Sequence, residues 1–197
     1  MGAELGGAGK PMTTVRKAVW RDWPYIDGLR KREGRALGFI PKAVYESVLT
    51  QTRVANRDRW RYQQVIVTVD NDDLTGFCMW STHAELSNIF QIVVQEDARR
   101  WYRAMLMVTW VETEAQKLKK QGVTCRVAMD LESNLFWQAT GYFPTKAVTS
   151  TWLNQRESKS RRPLWVYEKY FHLPVTKESL FVPGANPNQA VRPVKLE

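Results

Sequence analysis

One stretch of the chain constrains the fold more than any other, because an apolar strand, a long helical stripe and a second apolar strand follow one another between residues 89 and 129. Ile89–Val94 is apolar except at Gln91, which is typical of a strand covered on both faces. The helical stripe consists of Ala104, Val108, Val111, Ala115 and Leu118, and lysines and Gly122 follow it. Val123–Met129 then continues as a strand. This unit predicts two parallel strands joined by a right-handed helical crossover.

Shorter helices and antiparallel strands are predicted around this unit. The four residues from Asp70 to Asp73 separate two strand-like runs, and their composition predicts a hairpin turn. The predicted strands are Val15–Val19, Gln64–Val69, Leu74–Trp80, Ile89–Val94, Val123–Met129, Tyr142–Trp152 and Leu164–Phe171, and the predicted helices begin near Asp22, Pro41, Ala104 and Leu135. The order β-α-α-β-β-β-α-β-α-β-β predicts an α/β fold with a central mixed sheet flanked by helices.

The composition, 44% hydrophobic, 25% charged and 12% aromatic over 197 residues, is that of a soluble globular chain. Cys78 and Cys125 lie in apolar segments, which predicts core thiols in a reducing compartment and therefore a cytoplasmic location. No run reaches the roughly 20 apolar residues of a membrane span. The excess of 29 Lys and Arg over 20 Asp and Glu gives a net charge of +9, which favours negatively charged partners or cofactors.

The two ends of the chain differ from its middle. Residues 1–12 contain four glycines and no apolar period, so we expect a flexible tail. Residues 172–197 contain four prolines and are expected to form an extended arm. The predicted domain is residues 13–171. Its last two aromatic strands, with the arm, could form a homodimer contact.

Four segments, in this order and spacing, resemble the GNAT N-acetyltransferase superfamily. They are the strand and helix from Val15 to Leu29, the hairpin from Val67 to Phe77, the segment Ile92-Val-Val-Gln-Glu-Asp-Ala-Arg-Arg100, and Asn134-Leu-Phe-Trp-Gln-Ala-Thr-Gly-Tyr142. The phrases from Gln91 to Arg100 and from Leu37 to Pro41 are most similar to branches found in bacteriophages. The resemblance implies the GNAT fold and acetyl-coenzyme A as cofactor.

The start of the long helix is the candidate diphosphate site. A helix N-terminus presents unpaired N–H groups and the positive end of its dipole, and Arg99, Arg100 and Arg103 add charge there. In the family this loop contains Arg/Gln-x-x-Gly-x-Gly/Ala, which corresponds to Arg99-x-x-Tyr102-x-Ala104, with Trp101 between. Tyr102 stands where a glycine normally lets the backbone approach the phosphates. Its ring could turn outward and leave the amides usable; the alternative is a basic helix start without a ligand.

Catalysis by this family requires a polarised thioester carbonyl and a proton for the leaving thiolate. The resemblance assigns the first task to a main-chain N–H near Ile92, Val93 and Val94. The family's leaving-group tyrosine corresponds to Trp137, whose indole N–H is too weak an acid. Tyr142 or Ser133 could replace it, water could protonate the thiolate, or the fold no longer catalyses. The resemblance implies that Asn134 contacts the pantetheine arm of the cofactor. Asn134 could also cap the short helix, and Ser133 is the alternative cap residue.

The candidates for the general base are Glu85, which precedes the central strand, His83 beside it, and Asp130, which follows the next strand. No second ligand shares a metal-binding spacing with His83, so we predict no metal site.

Three functions are compatible with these residues. The first is acetyl transfer from acetyl-CoA to an amine of a protein or small molecule. The second is a catalytically degenerate phage protein that binds and modulates a host protein. The third is nucleic-acid binding or base modification, because Arg and Trp alternate in Arg59-Trp60-Arg61 and near Trp101 and Trp165.

Overall fold

A seven-stranded mixed sheet in the order β1-β2-β3-β4-β5-β7-β6 organises the computed structural model. The structure describes residues 12–51, 63–82, 85–99, 102–150 and 162–171. The strands are β1 Thr13–Lys17, β2 Gln63–Asp70, β3 Asp73–Ser81, β4 Leu86–Val94, β5 Gly122–Ala128, β6 Phe143–Thr149 and β7 Pro163–Tyr170. The helices are α1 Trp23–Arg32, α2 Lys42–Thr50, α3 Arg103–Lys117 and α4 Ser133–Ala139. The predicted order of elements and the mixed α/β class are confirmed.

Among the strands of the described residues only β4 and β5 are parallel, and α3 connects them, as the sequence predicted. All other neighbouring strands are antiparallel. Gly76 in β3 allows α3 to pack closely, because a Cβ there would lie 2.7 Å from the Val93 carbonyl oxygen and 3.3 Å from Met107 Cε. The hairpin glycine therefore sets the distance between the central strands and the helix that follows β4.

The helices cover both faces of the sheet. On one face, α3 and α4 contribute Met107, Val111 and Trp137 to a core that includes the buried, unpaired thiols of Cys78 and Cys125. On the other face, α1 and α2 pack Ile26, Leu29, Val44 and Tyr45 against β2, β3 and β4. The prediction that both cysteines are core thiols is confirmed.

The start of α1 at Asp22 is confirmed, whereas the N-cap of α4 is neither of the two residues expected. Asp22 is the N-cap of α1, but its carboxylate accepts bonds from Arg16 at 2.7 and 2.9 Å and from the Val19 amide at 2.8 Å instead of capping the helix. Glu132, and neither Ser133 nor Asn134, is the N-cap of α4. Apart from Met12, the predicted tail and arm lie outside the described residues, so those predictions remain open.

Candidate functional site

The central feature of the site is a split between the two parallel strands. β4 and β5 pair only from Leu86 with Gly122 to Ile89 with Cys125. Beyond this point β4 stays paired with β3 as far as Val94, and β5 stays paired with β7 as far as Ala128. The sheet therefore divides into two arms, and the gap between them opens toward the carboxyl ends of β4 and β5.

A bulge in β4 lies next to the start of the split. The β3 register moves from Met79 opposite Gln91 to Trp80 opposite Ile89, so Phe90 is an extra residue. Ile89 belongs to the core under α3, whereas Phe90 packs on the α1 and α2 side. Gln91 is on that same side, where it accepts a hydrogen bond from the Tyr45 hydroxyl and donates one to the Gly38 carbonyl. The bulge thus directs a buried amide toward the α1–α2 loop.

The predicted carbonyl-polarising segment lies on the β4 arm. Ile92, Val93 and Val94 all follow the last β4–β5 pair, and on their other side they pair with Cys78, Phe77 and Gly76 of β3. Their backbone is therefore fixed by β3 while it borders the gap. This is the geometry that a main-chain donor needs if it is to reach a group bound between the arms.

The start of α3 lies close to the carboxyl end of β4. Tyr102 is the N-cap, with φ of 50° and ψ of 0°, and makes no side-chain cap bond. This left-handed conformation costs a non-glycine residue roughly 1–2 kcal/mol. Tyr102 is 49% exposed. Its carbonyl accepts the amide of Leu106, as expected for a helix whose first amides, those of Arg103, Ala104 and Met105, have no intrahelical partner.

The arginines near this helix start have different environments. Arg103 is buried, and its guanidinium donates to Asp70 Oδ2 at 2.6 Å and to the Ala98 carbonyl at 2.7 Å. Arg99 is exposed, donates to the Val94 carbonyl at 3.1 Å and forms an ion pair with Glu33. Arg103 is therefore held within the protein, whereas Arg99 is accessible to a ligand. Arg100 and Trp101 lie outside the described residues.

Asn134 and Trp137 lie on α4, beside the end of β5. The Asn134 Nδ2 group donates to the carbonyls of Ala128 at 2.9 Å and Leu131 at 2.6 Å, whereas its Oδ1 atom is buried without a hydrogen-bond partner. An unpartnered buried acceptor is costly unless a ligand or water donates to it. Trp137 is buried and packs edge-on against the Tyr142 ring, 5.0 Å between centroids.

Tyr142, a predicted leaving-group acid, is 2% exposed and belongs to the core with Cys125. Burial, assisted by the Glu112 carboxylate, raises the pKa of Tyr142 far above its usual range. The hydroxyl therefore stays protonated at neutral pH, but it is a weaker acid than an exposed phenol. Ser133 is exposed at the first position of α4.

The predicted bases lie at opposite ends of the split strands. Glu85 precedes the hydrogen-bonded end, where its carbonyl accepts the Gln121 amide at 3.0 Å. It is seven residues before Ile92, roughly 23 Å along a strand. Asp130 is at the open end, but Arg162 donates to both of its oxygens at 2.9 Å. The Arg162 guanidinium lowers the pKa of Asp130, which weakens it as a base. His83 lies outside the described residues.

Sequence reasoning missed Tyr45, Gln91 and Arg162. Gln91 had a detectable signal, since it is the one polar residue in an apolar strand. Arg162 had none, because its partners Asp130 and Arg35 are 32 and 127 residues away. Within the described ranges, no three His, Cys, Asp or Glu side chains converge as a metal site would require. No helix among these residues is long and apolar enough to cross a membrane.

The overall structure is similar to those of several N-acetyltransferases. NAA60 of Arabidopsis thaliana, solved with a bisubstrate analogue, matches with a TM-score of 0.65 and 11% identity over 81% of this chain and 98% of that one. The Escherichia coli ribosomal-protein-S18-alanine N-acetyltransferase matches with a TM-score of 0.62 and 13% identity, over 83% of this chain and 96% of that one. A Salmonella typhimurium acetyltransferase that modifies the N-terminal serine of ribosomal protein L7/L12 matches with a TM-score of 0.63 and 9% identity, over 82% of this chain and 96% of that one. Neither protein-family models nor curated protein sequences match. The chain therefore has the GNAT N-acyltransferase fold.

Proposed function

We propose that this protein is an N-acetyltransferase that binds acetyl-CoA in the gap between β4 and β5 and transfers the acetyl group to an amine. The observation that carries the proposal is the split of β4 from β5 directly beside an uncapped start of α3. The gap provides a path between two rigid arms, and the helix start provides amides for an anion at the end of that path. The GNAT fold agrees with this use of the split.

The residues around the gap suit the parts of the cofactor. The amides of Arg103, Ala104 and Met105, with the exposed Arg99, would bind the diphosphate. The unpartnered Asn134 Oδ1 atom would accept an N–H group of the pantetheine arm. Main-chain amides on the β4 arm would polarise the thioester carbonyl. We assign Arg103 a positioning role, because Asp70 and Ala98 already occupy its guanidinium.

The environment of Glu85 and Asp130 suggests which amine is used. One lies at the wrong end of β4, and the other is paired with Arg162. Of the candidate bases that the structure describes, neither is an unpaired carboxylate at the open end, and a reaction without such a base needs an amine that is already neutral. At pH 7.5 about a third of an N-terminal amine is neutral, against about 0.1% of a lysine side chain. We therefore propose an N-terminal α-amine as the acceptor.

In the proposed step the neutral amine attacks the acetyl carbonyl, the C–N bond forms and the C–S bond breaks. The amine nitrogen loses its proton to water, and water protonates the departing thiolate. Trp137 cannot supply the proton, and the Tyr142 hydroxyl is buried in the core. Thiols are far stronger acids than alcohols, with a pKa of about 8.5 in free cysteine, so a thiolate can leave without an acid. Replacing Tyr142 with Phe should then change kcat by less than about twofold, whereas loss of a general acid costs at least about 100-fold.

The test of the proposal is transfer to peptides. The protein is incubated with acetyl-CoA and peptides that begin with Ala, Ser or Met, and with an N-terminally blocked peptide that contains lysine. Mass spectrometry should detect an added acetyl group on a free N-terminus and on no lysine. Acetylation confined to lysine would overturn the choice of acceptor, and binding of acetyl-CoA without any transfer would overturn the catalytic part.

A second candidate, a binding protein with a degenerate site, is favoured by one specific pair of substitutions. Tyr102 stands in a strained left-handed conformation where the family has a glycine in the diphosphate loop. Buried Trp137 stands where the family has the tyrosine that protonates the leaving thiolate. In this alternative the protein is phage-encoded and binds a host protein. Calorimetry that detects no acetyl-CoA binding to the wild type, together with retention of a specific protein from bacterial lysate, would favour it.

A further inference from the structure

The loop between α1 and α2, residues 33–41, crosses the open end of the sheet and is attached to both of its arms. On the β4 arm, Gln91 donates to the Gly38 carbonyl. On the other arm, Arg162 donates to the Arg35 carbonyl at 2.7 Å. We call this loop the strap. Beyond Ile89 and Cys125 the two arms are no longer bonded to each other, so the strap connects them across the gap.

Arg162 is the residue that ties the strap to the β5 and β7 arm. It directly precedes β7, where the Pro163 carbonyl accepts the Met129 amide at 3.1 Å. Its guanidinium binds both Asp130 oxygens at 2.9 Å while it also reaches the Arg35 carbonyl. The planar guanidinium has donors in a fixed geometry, so one side chain can hold two segments in a set relation. A lysine has no such fork.

The exposure of this contact argues against a role in stability. The Asp130 side chain is 68% exposed and that of Arg162 is 35% exposed. Ion pairs of this kind contribute little to folding. The strap has other attachments to the core, since Ile40 is buried and Leu37 packs on the α1 and α2 side. Loss of Arg162 should therefore leave the fold intact and release one side of the strap.

We propose that Arg162 is a positioning residue for the acceptor, acting through the strap. Acetyl-CoA would enter the gap from the α3 side, where the helix start lies, and the strap borders the α1 and α2 side from which the amine must approach. By holding the strap to Asp130, Arg162 fixes the wall against which the acceptor binds. Exposed Phe39 lies on the strap, three residues before Lys42 begins α2. This inference rests on the proposed function.

Arg35→Ala provides a matched control for Arg162→Ala. Both substitutions remove one arginine near the gap, but Arg35 contributes only its backbone carbonyl to the contact, and that group is kept. Hydrogen exchange of residues 33–41 should rise about tenfold in Arg162→Ala and stay at the wild-type rate in Arg35→Ala. Arg162→Lys should give an intermediate rate, because an ammonium cannot reproduce the three bonds.

Kinetics with the N-terminal peptides separate positioning from a general loss of structure. Arg162→Ala should raise the peptide KM about tenfold, with kcat and acetyl-CoA affinity within about twofold of the wild type. Equal exchange rates in Arg162→Ala and Arg35→Ala would overturn the proposal, as would a fall in kcat at unchanged KM. If the wild type binds no acetyl-CoA, the proposed function fails, and with it the acceptor role. The exchange experiment would then report on the strap contact alone.

Discussion

The two ends of the β4–β5 pair are built in different ways. At the hydrogen-bonded end, Leu86–Ile89 pairs with Gly122–Cys125 in a continuous ladder. Packing there is so tight that a Cβ on Gly122 would lie 2.1 Å from the Lys169 carbonyl oxygen. At the open end the ladder is replaced by side-chain bonds to the strap, from Gln91 on the β4 arm and from Arg162 on the β5 and β7 arm. The comparison teaches that the ladder at the hydrogen-bonded end holds the two arms together, whereas at the open end the arms border a gap.

Substitution of Gly122 tests the hydrogen-bonded end and should have the largest effect on the free energy of unfolding. Gly122→Ala must displace the Lys169 backbone, and we expect a loss of about 3 kcal/mol or more in the free energy of unfolding. Gly38→Ala, at the open end, is the control because its Cβ would meet nothing within 4 Å. It should change stability by less than about 0.5 kcal/mol. Urea denaturation measures both; equal losses would contradict the comparison.

Arg103 is the exception at the open end, because it is buried. Arg103→Ala leaves Asp70 without its positively charged partner and should cost about 3 kcal/mol by urea denaturation. Arg99→Ala should cost less than about 1 kcal/mol, because its pair with Glu33 is exposed. The same substitution should weaken acetyl-CoA binding. If Arg103→Ala cost no more unfolding free energy than Arg99→Ala, Arg103 would not hold the segment between β4 and α3 in place.

Tyr102 allows the backbone and the ring to be tested separately. Tyr102→Gly should raise the free energy of unfolding by about 1 kcal/mol, because glycine adopts the left-handed conformation without strain. Tyr102→Ala removes the ring but keeps a Cβ in that conformation, so it should bring no such gain. Thermal unfolding distinguishes the two variants. A gain shared equally by both would indicate that the ring, and not the backbone, carries the cost.

The smallest effect is a pH dependence from Asp70. Burial acts to raise its pKa, but hydrogen bonds from Arg103 and Thr13 outweigh burial, and the pKa of Asp70 is lowered overall. A lowered folded-state pKa adds stability above the unfolded value of about 3.9, and this is lost as pH falls through the folded-state pKa. The stability difference between wild type and Asp70→Asn should therefore shrink below about pH 4. A stability difference that stays constant from pH 7 to 2 would contradict a stabilising contribution from the lowered pKa of Asp70.

The sequence predicted the order of elements well because each strand and helix is encoded by a local pattern. The stripe from Ala104 to Leu118 and the turn at Asp70 needed no knowledge of distant residues. The topology, and no local pattern, decides where Glu85 lies relative to the gap. The open end lies at the carboxyl ends of the parallel strands, so a residue that precedes β4 lies at the opposite end.

Other features of the site depend on contacts that no local pattern encodes. Arg99 and Arg103 both stand near a helix start, yet one is exposed and the other is buried against Asp70, 33 residues earlier. The bond between Arg162 and Asp130 likewise spans 32 residues. The cap of α4 was misjudged because the Asn134 Nδ2 group donates to carbonyls at the end of β5 and in the loop before α4.

The central claim, that the start of α3 binds the cofactor diphosphate, is tested most directly by titration calorimetry of acetyl-CoA. Met105→Glu adds a carboxylate to the first turn of α3, where it suits the helix dipole but repels a diphosphate. Leu118→Glu is the matched control at the other end, with 50% exposure against 47% for Met105. We predict binding to the wild type and to Leu118→Glu, and at least about fivefold weaker binding to Met105→Glu. Equal affinity in all three proteins, or no binding to the wild type, would contradict the claim.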